Sequence, residues 1–270
     1  MIIRSSNFNI KQIAESGQCF RMNKLDDGGW YSLIAFELYL RLRQVGNETI
    51  ELDCTEDEYN RVWKDYFDMN YDYSNIINNI NNGDDRFLMK AVEYGQGIRI
   101  LQQEPFEALI SFIISQRKNI PAIKSCIEKL CIRLGERKES NGTVYYTFPT
   151  AKALAGTDFN TLDECGVGYR NEYIKGAARA VYDGSIQLEE LKTMDKDEAI
   201  EILKGLYGVG DKVANCVALF GLHHINSFPI DVWMARIIHD MYNGYFDVNK
   251  YSGYAGIVQQ YMFYYARNKY

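Results

Sequence analysis

The chain has 270 residues, 47% of them hydrophobic, and 30 Lys and Arg stand against 36 Asp and Glu for a net charge of −6. This composition supports a sizeable core and argues against disorder; no apolar run approaches the ~20 residues of a bilayer span, and Met1 to Ile13 lacks a signal peptide's apolar core and cleavage site, so a cytoplasmic protein with no membrane partner is expected. The acidic balance, with a pI near 5.3, excludes nucleic-acid binding by bulk charge and allows only a small basic or dipolar footprint facing a few phosphates.

The first third reads as sheet followed by helix. Leu38, Leu40 and Leu42 alternate with Tyr39, Arg41 and Arg43, and Ile50, Leu52 and Cys54 alternate with Glu51 and Asp53. Period two predicts half-buried antiparallel strands, with Val45-Gly46-Asn47-Glu48 as the turn. Thr55-Glu56-Asp57-Glu58 has the form of a capping box. Behind it Tyr59, Val62, Trp63, Tyr66 and Phe67 keep helical spacing, a stripe expected to pack on the sheet.

From about Asp84 onward the pattern is helical. Phe106, Leu109, Ile110, Ile113 and Ile114 form one stripe, and Ile123, Ile127, Leu130, Cys131 and Leu134 another. Asn141-Gly142, flanked by Tyr145 and Tyr146, predicts a hairpin insert. Further helices are expected over roughly 170–182, 196–206, 211–222, 231–241 and 253–268. The fold class is α+β: an N-terminal antiparallel β-sheet domain with helices over residues 1–100, and an all-helical domain over 101–270.

Two of these helices meet at Leu206-Tyr207-Gly208-Val209-Gly210. Gly208 and Gly210 allow positive φ and close backbone approach, and leave N–H groups exposed at the next helix start, an anion site suited to one DNA phosphate. Gly-x-Gly alone also describes an ordinary interhelical turn. Lys212 follows in the first turn. A solvated surface Lys is the commoner fate of such a residue. Its placement against the helix dipole, together with partial burial, would lower its pKa and favour the neutral, nucleophilic amine. Cys216 lies four residues on and shares its face. Nineteen residues past Lys212, Phe228-Pro229-Ile230-Asp231 puts Asp231 at a helix start, either as an N-cap or as a rigidly held catalytic carboxylate.

Gly208-Val209-Gly210-Asp211-Lys212-Val213-Ala214-Asn215-Cys216 with Pro229-Ile230-Asp231-Val232 closely resembles the hairpin and Gly/Pro-rich loop signature of 8-oxoguanine DNA glycosylase/AP lyases of the helix-hairpin-helix superfamily. Counterparts run nearly end to end: Ser16-Gly17-Gln18-Cys19-Phe20-Arg21, Tyr66-Phe67-Asp68, Gly97-Ile98-Arg99-Ile100, Glu104-Pro105-Phe106-Glu107, Ser111-Phe112-Ile113, Gly166-Val167-Gly168-Tyr169-Arg170 and Tyr254-Ala255-Gly256. The six cysteines show no Cys-x-x-Cys spacing and none follows Cys216, which argues against zinc, an iron–sulfur cluster and disulfides, and separates the chain from the cluster-bearing endonuclease III branch.

The resemblance implies a bacterial enzyme acting as a monomer on duplex DNA that contains 8-oxoguanine. It implies attack on the sugar by Lys212, charge stabilisation by Asp231, and β-elimination from the resulting imine. It needs no cofactor; a monovalent cation on hairpin carbonyls is implied by family analogy alone. Further roles follow from it. The Gly17 carbonyl reads the N7–H that distinguishes 8-oxoguanine from guanine, Phe263 and Cys216 sandwich the base, and Gln259 reads the Watson–Crick edge. Tyr169 is the wedge and Arg170 a contact to the opposite cytosine. The chain departs from the eukaryotic pattern in several places. Arg117 stands at the first position of an Asn run, Ala122 replaces an Arg that contacts cytosine, Trp233 replaces a His near the lesion phosphate and Ala266 replaces its Asp partner. The changes at Arg117 and Ala122 predict weaker preference for cytosine opposite the lesion, and the joint change at Trp233 and Ala266 predicts a repacked pocket wall with catalysis retained. The competing readings are a hairpin glycosylase for another damaged purine and a non-catalytic damage-binding module.

Overall fold

In the computed structural model, which describes residues 1–269, the N-terminal strands form one antiparallel five-stranded sheet. β1 (Ile2–Arg4), β2 (Met22–Lys24), β3 (Tyr31–Ala35), β4 (Leu38–Gly46) and β5 (Thr49–Leu52) lie in the order β1-β5-β4-β3-β2. The alternation read from the sequence sets the register: Leu42 faces Leu52 and Arg43 faces Glu51. Leu40, Leu42, Ile50 and Leu52 are therefore buried together, against Ile10, Ile13, Trp63 and Phe67. On the other face Arg43 pairs with Glu51 at 2.7 Å, and the Arg41 and Arg43 guanidinium groups cover the Trp30 ring.

Thr55 caps as expected, its hydroxyl accepting from the Glu58 amide at 3.1 Å. The Glu58 carboxylate accepts from Trp63 Nε1 at 2.6 Å. Between them Tyr59–Trp63 forms a π-helical turn, a feature the simple 3.6-residue spacing did not predict. Its wider turn brings Trp63, Tyr66 and Phe67 all into the sheet's core.

The second core is helical. Helices Tyr73–Asn81 and Arg86–Gly95 join it, with Tyr94 stacked on Tyr264 of the C-terminal helix Ala255–Lys269 at 5.3 Å. Helices Pro105–Ser115, Ile120–Leu134, Asn171–Tyr182, Lys196–Lys204, Asp211–Phe220 and Val232–Tyr242 build most of the rest of it, and the short helices Ala151–Gly156, Phe159–Glu164 and Leu188–Leu191 add Leu154, Leu162, Leu188 and Leu191. The expected hairpin is present: Arg137–Ser140 and Thr143–Tyr146 pair across Asn141-Gly142, both at positive φ (49° and 76°), as a tight two-residue turn requires. Among the described residues no helix is long and apolar enough to cross a membrane.

Buried polar side chains tie the two cores together. Arg99 donates to the carbonyls of Phe67 (3.0 Å), Asp68 (2.6 Å) and Tyr71 (3.1 Å), and its guanidinium lies over the Tyr73 ring. Gln18, fully buried, donates to Arg99 O and accepts from Leu101 N, while Gln103 donates to Gln18 O. The Gln103 amide in turn donates to Phe220 O, at the end of the second hairpin helix. This chain of bonds fixes the Gly17 loop relative to the hairpin, because each buried polar group left unpaired would cost about 1–3 kcal/mol.

Candidate active site

The hairpin turn is built by Gly208. Its φ of +85° suits glycine, and a Cβ there would overlap the Tyr173 ring. Gln116 Nε2 donates to Gly208 O at 3.1 Å, linking the turn to the loop after helix Pro105–Ser115. Gly210 is the N-cap of helix Asp211–Phe220, with no side-chain cap and open space around it. The first-turn amides are thus left for an anion, at a concavity lined by residues 204–210. Lys204 on its rim is already engaged by Asp211 (2.8 Å) and Glu201 (2.9 Å), so the footprint rests on backbone dipoles more than on free cations. Of the hairpin carbonyls, Leu206 O accepts from Val209 N and Gly208 O from Gln116, which leaves each one lone pair for a monovalent cation.

Lys212 is half-buried. Its Nζ donates to Ser115 Oγ at 3.0 Å and stands 5.2 Å from the centre of the Phe112 ring. Ser115 Oγ donates in turn to Phe112 O at 2.7 Å, so a hydroxyl lone pair faces the amine. Cys216 is buried one turn on; burial pushes its thiol pKa up, the Lys212 charge opposes that, and the sulfur is a neutral thiol at neutral pH. Asp231 caps helix Val232–Tyr242, Oδ1 accepting from the Trp233 (3.0 Å) and Met234 (2.9 Å) amides. Both bonds fall on one oxygen, so Oδ2 stays outside the cap. Lys212 and Asp231 open onto the same 1230 Å³ cavity.

Gly17 forms another part of that cavity's wall, with φ +79°. A Cβ there would stand 3.2 Å from Phe263 and 3.3 Å from Arg267 Nη1. Phe263 also lines the cavity, as do Trp233 and Arg117. Gln259 and Cys216, both 3% exposed, do not line it. The Gln259 amide donates to Pro229 O at 3.0 Å and its carbonyl accepts from Gln260, so this side chain braces the loop that carries Asp231.

Tyr169 is exposed and packs edge-on against Tyr173, which does the same against Tyr207. Arg170 is buried: it donates to Val167 O and Gln116 O, and its guanidinium lies 4.3 Å from the centre of the Tyr169 ring. Arg117 is exposed in a left-handed conformation (φ 52°), two residues before the Asn119 cap of helix Ile120–Leu134. Ala122 is exposed in that helix's first turn, its amide held by Asn119.

Six sequence-derived candidates, Gly17, Arg117, Lys212, Asp231, Trp233 and Phe263, thus share one cavity. Gly208 and Gly210 line the neighbouring hairpin concavity. Sequence reasoning missed Ser115 and Arg267. Arg267 had a usable signal, since it lies four residues past Phe263 on the same helix face; Ser115 is 97 residues from Lys212 and had none.

Residues 1–109 match the 8-oxoguanine DNA glycosylase N-terminal domain, and residues 110–245 match the HhH-GPD superfamily base excision DNA repair proteins. The chain is 30% identical over 230 residues to a probable N-glycosylase/DNA lyase of Methanothermobacter thermautotrophicus, covering 74% of this chain and 72% of that relative. It is 31% identical over 261 residues to the N-glycosylase/DNA lyase of Saccharomyces cerevisiae, covering 88% and 69%. The Clostridium acetobutylicum 8-oxoguanine glycosylase/lyase, solved with double-stranded DNA carrying cytosine opposite 8-oxoG, superposes with a TM-score of 0.91 at 35% identity over 99% of this chain and 98% of that one. This chain therefore belongs to the HhH-GPD superfamily of base excision DNA repair proteins, in the branch that carries the 8-oxoguanine DNA glycosylase N-terminal domain.

Proposed function

We propose that this protein is a bifunctional DNA glycosylase/AP lyase that excises 8-oxoguanine from duplex DNA through a Lys212 imine and β-elimination. The observation that carries this reading is the convergence of Lys212, Asp231, Gly17 and Phe263, from three distant helices and a loop, on one cavity of 1230 Å³. A base buried in a duplex must be extruded to reach such a cavity. The hairpin amides would hold a phosphate while it is.

Lys212 Nζ, once it has given up a proton to become the free amine, attacks C1′ of the extruded nucleotide; the glycosidic electron pair leaves with the base, which takes up the proton the amine loses as the new C–N bond forms. The Asp231 carboxylate offsets the positive charge that develops on the sugar. Ring opening gives the imine; loss of a C2′ proton then expels the 3′ phosphate. These steps use only side chains, and a cation on the hairpin carbonyls would be structural. Ser115 favours catalysis over damage-binding alone, because it fixes the amine at the cavity wall and binding needs no fixed amine.

The reading extends to weak discrimination of the opposite base. Ala122 offers no polar side-chain atom, and Arg170 spends two donors on Val167 O and Gln116 O. A bidentate contact to a base contributes about 1–3 kcal/mol of discrimination; Ala122 cannot supply it, and Arg170 keeps only part of the cytosine contact. Arg117, long and exposed, suits several partners. The test is strand cleavage of duplexes carrying 8-oxoguanine, an alkylated purine or undamaged guanine. Cleavage at 8-oxoguanine that disappears in Lys212→Gln supports the reading. Excision confined to the alkylated purine overturns it.

A further inference from the structure

Gln259, Phe263 and Arg267 lie one turn apart on one face of the C-terminal helix; Phe263 and Arg267 line the cavity, and Gln259 is buried behind it. Four residues of helix rise about 6 Å, so Gln259 lies on one side of the Phe263 ring along the helix axis and Arg267 on the other. Arg267 lines the cavity. Its Nη2 donates to Glu15 O, and its guanidinium carbon stands 5.7 Å from the centre of the Phe263 ring. Nη1 is buried with no hydrogen-bond partner among the described residues, and it lies 3.3 Å from where a Gly17 Cβ would be. A buried donor left unpaired costs about 1–3 kcal/mol, which an acceptor on a bound ligand would recover.

This inference rests on the 8-oxoguanine reading proposed above and on the pose that the family resemblance implies, in which the base stacks on Phe263 with its Watson–Crick edge toward Gln259. The far end of the purine is then C8, and it points along the helix toward Arg267. N7–H sits beside C8 and meets the Gly17 carbonyl. The group next to it is the C8 carbonyl oxygen, an acceptor that guanine lacks. We propose that Arg267 Nη1 donates to this oxygen, so that the lesion is read twice: by the Gly17 carbonyl at N7–H and by a guanidinium at O8. Glu15 O holds Nη2, and the Phe263 ring flanks the guanidinium, which pre-orients it for this bond.

The test compares single-turnover excision of 8-oxoguanine and 8-thioguanine by wild type and Arg267→Met. The thio base keeps N7–H and puts sulfur, a weak acceptor, at C8. Wild type is expected to excise the oxo base faster by roughly ten- to a hundredfold, the range for a hydrogen bond from a charged donor. Arg267→Met should lose most of that preference by slowing the oxo base far more than the thio base. Equal slowing of both bases in the variant overturns the proposal and reduces Arg267 to a support of the Gly17 loop. Equal rates on the two bases in wild type overturn it without recourse to a variant. Failure of wild type to excise either base overturns the underlying 8-oxoguanine reading instead.

Discussion

Asp231 carries two roles that one pair of substitutions separates. Its Oδ1 accepts both cap amides, from Trp233 and Met234. In Asp231→Asn the side-chain carbonyl oxygen can keep both bonds, and Asn caps as well as Asp. What is lost is the negative charge at a helix N-terminus, about 0.3–1 kcal/mol. For a chain of this size 1 kcal/mol moves the melting midpoint by about 2 °C, so Asn should melt within about 2 °C of wild type. Asp231→Ala also loses the cap, about 0.5–2 kcal/mol, and should melt a few degrees lower. Excision should ignore this ranking. Both variants lack the charge and should lose about 10²–10³ in single-turnover excision, the effect of removing one electrostatic stabiliser. The assay is excision from an 8-oxoguanine duplex at saturating enzyme, with thermal unfolding alongside. Wild-type turnover in Asp231→Asn would leave Asp231 a cap alone.

Three further outcomes are expected. Burial pushes the Glu107 carboxyl up to about 7 against the pull of Arg21, 3.8 Å away; the native state then holds a proton that the unfolded state releases, so stability falls as pH rises from about 4.5 to 7, and Glu107→Gln should remove up to about 1.4 kcal/mol per pH unit of that slope in urea unfolding. An unchanged slope in the Gln variant would show that the titrating group lies elsewhere. Gly208→Ala combines positive φ with overlap on the Tyr173 ring, so it should destabilise by about 1–3 kcal/mol and weaken binding of undamaged duplex, read by anisotropy; intact affinity would remove the hairpin from DNA contact. Ala122→Arg should sharpen preference for cytosine over the other three partners by about tenfold or more, and unchanged single-turnover ratios would count against the reading of that position.

The parts of this molecule that were legible in the sequence are the ones carried by local chemistry. The Leu40/Leu42 and Ile50/Leu52 alternation set the sheet register, Asn141-Gly142 formed its hairpin, and Gly208 and Asp231 stand at the turn and cap their surroundings required. β1 and β2, three residues each, are too short for period two to register. The π-helical turn at Tyr59–Trp63 leaves its core residues apolar and so hides within an ordinary helical stripe. The contacts that set the site's geometry are long-range: Ser115 to Lys212, Gln18 to Leu101, Arg267 to Glu15. Nothing in local spacing encodes them. Arg170 likewise takes its place from a long-range bond, donating to the carbonyl of Gln116 as well as to that of nearby Val167.

In the proposed reaction the Lys212 amine bonds covalently to the sugar of the excised nucleotide. The direct measurement is borohydride reduction during turnover on an 8-oxoguanine duplex, followed by proteolysis and mass mapping of the cross-linked peptide. One adduct is expected, at Lys212 within the segment that follows Gly210, and none in Lys212→Gln with lesion binding retained. An adduct at another amine, or trapping that persists undiminished in the Gln variant, would contradict it.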